Sequence, residues 1–360
     1  MISILIAGAI AMVFSFALTP VYIRLLVRRE YGQFVRDDGP TSHSVKRGTP
    51  TMGGVMIILA TMLGYAGGHV AGWSWPTASG LLAIFLMVGL GLLGFADDYS
   101  KIAKKQSLGL SPKAKLIGQG LIGTVFAVLA LQFPDINGNT PASTQISFVR
   151  DLPWLDLAFA GTVVGIILFA LWSNFLVAAW SNGVNLTDGL DGLASGATIL
   201  FAASYVLVTF WQWRQECGIS LEASCYSTRD PLDLAIFGSA VIGACVGFLW
   251  WNTSPAKIFM GDTGSLALGG ALAALTILSR TQILGGIIGG LFVIISLSVI
   301  IQVTSFKLTK KRVFRMAPLQ HHFELKGWNE VTIVVRFWII AGIFAAIGLG
   351  LFYADALTTM

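Results

Sequence analysis

The strongest constraint on this chain is a set of long apolar runs almost free of charge, at 2–17, 80–96, 155–171 and 332–353. A helix needs about 20 such residues to cross the hydrocarbon core of a bilayer. No water reaches the backbone there, so segments this long and apolar satisfy their N–H and C=O groups internally, as helices. Composition agrees, with 55% of the 360 residues hydrophobic and 11% charged. A soluble domain carries roughly a quarter charged residues, so this chain lacks the polar surface to face water all round. The predicted class is an all-α integral membrane protein, organised as a single polytopic membrane domain over 1–360 and embedded in the lipid bilayer.

Apolar windows set against polar breaks predict about ten transmembrane helices, near 2–27, 51–72, 76–96, 113–133, 155–181, 192–212, 233–250, 263–280, 283–306 and 333–353. With the N-terminus outside, Arg150, Arg214, Arg229 and Arg280 are the only members of the 23 Lys and Arg residues to fall outside. Cytoplasmic loops concentrate basic residues, so both termini are predicted to be extracytoplasmic. The first run has no basic residue before it and no small-residue cleavage site after it, which marks a retained span rather than a signal peptide. Paired glycines such as Gly53-Gly54, Gly269-Gly270, Gly285-Gly286 and Gly289-Gly290 fit close helix–helix packing. Cys245 lies in an apolar run and is read as a packing residue. Cys217 and Cys225 share an outside loop, where a disulfide is left open; no metal or redox motif is formed.

The chemistry is expected on the cytoplasmic side, where four segments place polar groups at helix ends. Carboxylates beside hydrocarbon are costly unless used or paired. Asp97 and Asp98 end an apolar span; adjacent acids repel, and a divalent cation or the nearby Lys101, Lys104 and Lys105 would relieve that. The plainer alternative is a solvated helix end. Segment 182–192 holds Asn182, Asn185, Thr187, Asp188 and Asp191 with no basic residue, a density of oxygen groups that an ordinary turn does not require. Calcium-loop spacing is missing from it. Asn252, Phe259, Gly261 and Asp262 form the third group. Asp262 by itself is compatible with a helix N-cap, and Phe259 with packing, but together they suggest a pocket where an aromatic ring stacks on a base. The fourth group, in a basic loop, holds His321 and His322, able to donate to phosphate oxygens or exchange a proton near neutral pH. Acidic oxygen ligands favour magnesium or manganese over zinc, and a basic rim draws in anions. Phosphoryl transfer fits, since it relies on positioning and charge neutralisation. No Walker A or Rossmann glycine signature is present.

In these motifs, taken in order with Arg47-Gly48-Thr49-Pro50-Thr51-Met52-Gly53-Gly54 and Met316-Ala317-Pro318, the sequence resembles the phospho-N-acetylmuramoyl-pentapeptide transferase family. These are translocases of bacterial peptidoglycan synthesis within the polyprenyl-phosphate N-acetylhexosamine-1-phosphate transferase superfamily. The resemblance implies a ten-helix protein of the bacterial inner membrane. It also implies transfer of phospho-MurNAc-pentapeptide from UDP-MurNAc-pentapeptide to undecaprenyl phosphate, giving lipid I and UMP, with Mg2+ as cofactor. Carried over, Asp262 resembles the metal-binding and catalytic aspartate, and Asp97 and Asp98 the acidic pair that acts on, or orients, the lipid phosphate. Lys46, Thr51, Asn182, Asn185, Asp188, Asp191, Asn252, Phe259 and Gly261 belong to the nucleoside and substrate pocket. Lys101, Lys105 and Lys113 stand near the phosphates, His321 is catalytic and His322 contacts substrate. One departure stands out: Gln320 precedes His321-His322 where the family commonly has a third histidine. A sister enzyme transferring GlcNAc-1-phosphate is the nearest alternative; a transporter or flippase, which would hold its acids at mid-membrane, fits less well. A homodimer is left open, and no nucleic acid is expected as partner.

Overall fold

The computed structural model describes residues 1–29, 48–104, 109–217 and 225–358, the side chains of 356–358 excepted. Ten of its helices are long and apolar enough to cross a membrane. They are α1 (Ile2–Arg28), α2 (Gly54–Gly72), α3 (Ala78–Ala103), α4 (Pro112–Ala130), α5 (Thr162–Thr187), α6 (Leu193–Arg214), α7 (Pro231–Asn252), α8 (Gly261–Leu278), α10 (Gly290–Thr309) and α12 (Glu330–Thr358). Between α4 and α5 lies a small antiparallel hairpin of β1 (Gln145–Ser147) and β2 (Asp151–Asp156). Two short helices complete the described residues, α9 (Gln282–Ile288) and α11 (Leu319–Glu324).

Hydropathy locates the spans well and misplaces several ends. The fifth span starts at Thr162 rather than 155, because residues 151–156 pair as strand β2, and it continues through Asn182 and Asn185 to Thr187. The third span likewise runs past Asp97 and Asp98 to Ala103. Both extensions hold polar residues that a hydropathy window rejects but a helix tolerates once neighbouring helices supply partners. The ninth expected span is two helices, broken at Gly289. A Cβ at Gly289 would lie 2.3 Å from the Trp180 ring, so the break receives an aromatic side chain from α5.

The almost wholly buried α8 is the centre of the bundle, packed against α3 and α5. Close approach needs small residues. A Cβ at Gly54 of α2 would fall 2.0 Å from the Gly264 nitrogen, and one at Gly269 2.3 Å from Ser181 Cα. Gly286 is an exception among the paired glycines, with open space where a side chain would stand.

The end of the bundle away from the acidic motifs is held by another buried carboxylate. Asp233, in the first turn of α7, lies 2.7 Å from His69 Nε2 and accepts from the Tyr65 hydroxyl (3.0 Å) and from the Thr77 backbone N–H (2.8 Å) and hydroxyl (2.5 Å). It thereby ties α2, α3 and α7 together. Beyond it, Cys217 and Cys225 form a disulfide, and Cys245 is buried as expected. Arg150 packs over the Tyr226 ring, and burial pushes the Tyr226 phenol up to about 12. Replacing Asp233 by alanine strands buried donors on two elements, α2 and the start of α3. The expected outcome is a loss of about 3 kcal/mol, read as a lowered unfolding midpoint of the purified protein in detergent.

Candidate active site

Asp97, Asp98 and Asp262 each place a carboxylate oxygen within 4.8 Å of the others. They meet because α3 and α8 cross here with almost no separation: a Cβ at Gly94 would lie 2.1 Å from the Asp262 carbonyl oxygen. Asp98, one turn further along α3, then reaches the start of α8. Its Oδ2 accepts from the Thr263 N–H (2.9 Å) and hydroxyl (2.8 Å), and its Oδ1 from the Asp262 N–H (3.2 Å). The first N–H groups of a helix lack partners within it, so Asp98 caps α8 from a different helix. The capping role that Asp262 could have had is therefore filled by Asp98. The Asp262 side chain is left to face Asn185, whose amide donates to Asp262 Oδ1 at 2.6 Å and to the Ser265 hydroxyl at 2.8 Å.

Three buried or half-buried carboxylates this close repel. Two ammonium groups offset the repulsion. Lys101 Nζ lies 2.7 Å from Asp97 Oδ2, 3.3 Å from Asp98 Oδ1 and 2.9 Å from Asp262 Oδ2. Lys115, on the first turns of α4, lies 2.8 Å from Asp262 Oδ2 and 3.4 Å from Asp97 Oδ1. The Leu110 N–H adds a bond of 2.8 Å to Asp97 Oδ1. Lys115 is the site residue that sequence reading missed. Lys113, expected near the phosphates, is exposed at the start of α4; two residues turn a helix by about 200°, which separates the two lysines onto different faces. The helical period downstream of Pro112 was the available signal. Lys46 and Lys105 lie outside the described residues.

The rim is built by short backbone pairings. The Phe259 N–H donates to the Pro50 carbonyl, and the Gly53 and Gly54 N–H groups donate to the Phe259 and Met260 carbonyls, at 2.8–2.9 Å. The two segments preceding α2 and α8 are thus zipped together, with Thr51 buried and the Phe259 ring half-buried. Gly261 has φ +72°, and a Cβ there would lie 2.6 Å from Asp98 Oδ2, so only glycine lets α8 begin this close to α3. Asn182 faces Gln119 (3.5 Å) on the last turns of α5, and Asp188 caps that helix. Asp191 accepts from the Ala256 N–H at 3.0 Å, and Asn252 donates to the Ile258 carbonyl at 2.9 Å. These last two brace the loop between α7 and α8. His321 Nδ1 is 2.5 Å from Glu324 Oε2 and its ring lies against Gly189. His322 accepts from the Arg315 N–H (3.0 Å); burial, with Lys326 and Arg315 nearby, holds it below the usual imidazole range.

The aspartate cluster suits a metal ion. All its donors are hard oxygens, the class preferred by Mg2+ and Ca2+, and the buried Asp97 Oδ2 accepts no hydrogen bond among the described residues beyond its ion pair with Lys101.

Residues 77–280, which carry all three aspartates and six of the ten apolar spans, match the family model for glycosyl transferase family 4, which makes the chain an integral-membrane transferase. Residues 46–58 match signature 1 of the phospho-N-acetylmuramoyl-pentapeptide-transferases. Proteins of that name from Kineococcus radiotolerans, Arthrobacter sp. and Beutenbergia cavernae are 65%, 62% and 61% identical to this chain, each alignment covering 99% of both sequences. The chain belongs to the phospho-N-acetylmuramoyl-pentapeptide-transferase family, and is a multi-pass membrane enzyme.

Asp262→Asn removes one of the three charges while keeping the shape. Turnover is expected to fall about 1000-fold or more with the unfolding midpoint nearly unchanged. Lys115→Met is expected to lower turnover about 10- to 100-fold, as loss of groups that orient a metal site does. Steady-state rates beside thermal unfolding check both.

Proposed function

We propose that this protein transfers phospho-MurNAc-pentapeptide from UDP-MurNAc-pentapeptide to undecaprenyl phosphate, releasing UMP and forming lipid I for peptidoglycan synthesis. The observation that carries this reading is the joining of Asp97, Asp98 and Asp262 with Lys101 and Lys115 at one end of a ten-span bundle, in a chain whose full-length relatives bear the name of that transferase. The acidic end faces the cytoplasm in this reading, since the basic loops gather there.

An oxygen of the lipid phosphate attacks the sugar-linked phosphorus. A new P–O bond forms there, the P–O bond to UMP breaks, and the electron pair leaves on the UMP phosphate. A phosphate monoester is largely ionised at pH 7, so the attacking group needs orientation more than deprotonation. Of the acidic pair, Asp97 is the freer to accept any proton the phosphate still carries, since Asp98 Oδ2 is engaged by Thr263. Lys101 and Lys115 exchange carboxylate for phosphate oxygens as the two anionic substrates arrive, and hold them in line. Asp262, with Asp97 and Asp98, would hold Mg2+, which neutralises charge on the diphosphate. Phe259 stacks on uracil, and Asn182, Asp188, Asp191 and Asn252 shape the nucleoside pocket behind it.

Incubation with UDP-MurNAc-pentapeptide and UDP-GlcNAc side by side, with undecaprenyl phosphate, tests the substrate: only the first is expected to yield a lipid-linked product. Reaction of UDP-GlcNAc alone would reassign the enzyme. Chelation of divalent cations is expected to abolish turnover and added Mg2+ to restore it. A phosphorylated enzyme trapped with nucleotide substrate alone would replace direct attack by double displacement.

A further inference from the structure

The short helix α11 meets the end of α5 through one side chain. Gln320 is fully buried, and its Nε2 donates to the Leu186 carbonyl at 2.7 Å. Leu186 is the penultimate residue of α5, where helix carbonyls have no partner within the helix, so Gln320 caps that end from a different element. The same turn of α5 carries Asn185, whose amide holds Asp262 and Ser265. Beyond the helix end the fit is tight. A Cβ at Gly189 would lie 2.9 Å from Gln320 Nε2 and 3.0 Å from His321 Nε2. The other end of the amide, Oε1, is buried and accepts no hydrogen bond among the described residues. An unpaired buried acceptor lowers stability, and an unbranched apolar side chain would fill the same space without one. Packing therefore does not account for an amide at this position. What the amide adds is the N–H that fixes α11 against α5.

We infer that Gln320 is a positioning residue for the transfer reaction: its N–H locks α11 to the Leu186 carbonyl and so sets His321 relative to Asn185 and the aspartate cluster. A carboxamide does not ionise near neutral pH, so Gln320 exchanges no proton. The inference rests on the transfer reaction proposed above but not on which nucleotide sugar is the donor.

The full chain in detergent, as Gln320→Met and Gln320→His, tests it through kcat, KM, the pH profile and the unfolding midpoint. The Met variant is expected to lose about 10- to 100-fold in kcat, the cost of a misplaced reacting group. Its KM for the nucleotide substrate should stay within about twofold, since ground-state binding is kept, and its midpoint should not fall. The His variant, with a ring N–H for Leu186, is expected to recover wild-type kcat with an unchanged pH profile. Full kcat in the Met variant, or a loss matched by unfolding, overturns the inference. Recovery by histidine accompanied by a new ionisation overturns it too, since the position would then transfer protons. Should the Met variant not fold, Gln320→Asn, too short to reach Leu186, is expected to show the same kcat loss and refutes the inference by retaining activity. Wild-type protein inert toward UDP-MurNAc-pentapeptide would sink the donor assignment instead, leaving the variants to be compared on the nucleotide sugar that is turned over.

Discussion

The crossing of α3 and α8 is the contact on which the rest of the site depends. Gly94 lets the α8 backbone approach to a distance that any side chain would block, and Asp98 then binds the free N–H groups at the start of α8. A carboxylate at a helix N-terminus is stabilised by both the donors and the helix dipole. Here the stabilisation acts between two helices, so the cap is also a clamp. It fixes the direction in which Asp262 leaves the first turn of α8, and with it the place where the three acids meet.

Gathering three carboxylates beside hydrocarbon is expensive unless each finds partners. Lys101 touches all three, Lys115 touches two, and Asn185 and the Leu110 N–H bind further oxygens. These partners come from α3, α4, α5 and the segment before α4, so the site draws the ends of several spans together. The opposite end of the bundle repeats the device on a smaller scale, with Asp233 collecting donors from α2 and α3. A bundle lacking a hydrophobic drive between its helices relies on small-residue contacts and polar clamps of this kind.

Other polar residues in the motifs also brace the loops around the site. Asp191 and Asn252 bind backbone groups of the segment between α7 and α8, and the pairing of Pro50–Gly54 with Phe259–Met260 fastens two helix entries side by side. A pocket for a flexible nucleotide needs walls that hold their shape, because misplacement by an ångström costs rate.

Much of this was legible in the amino-acid order. Uncharged runs dictated the spans, since lipid leaves helices as the only open structure that satisfies its own backbone. The acids and histidines were readable because polar groups are costly next to such runs, and the motif order pointed to the family. What the sequence could not express was geometry between distant segments. Asp98 and Asp262 carry the same side chain, yet one caps a helix and the other faces two ammonium groups, a difference made only by where α3 crosses α8. Lys115 entered and Lys113 turned away for the same reason, and Gln320 gained its partner from a helix more than a hundred residues earlier in the chain. Hydropathy is a property of neighbours along the chain and can be summed from sequence. Hydrogen bonds and ion pairs act over a few ångströms, and only the folded bundle brings their partners that close.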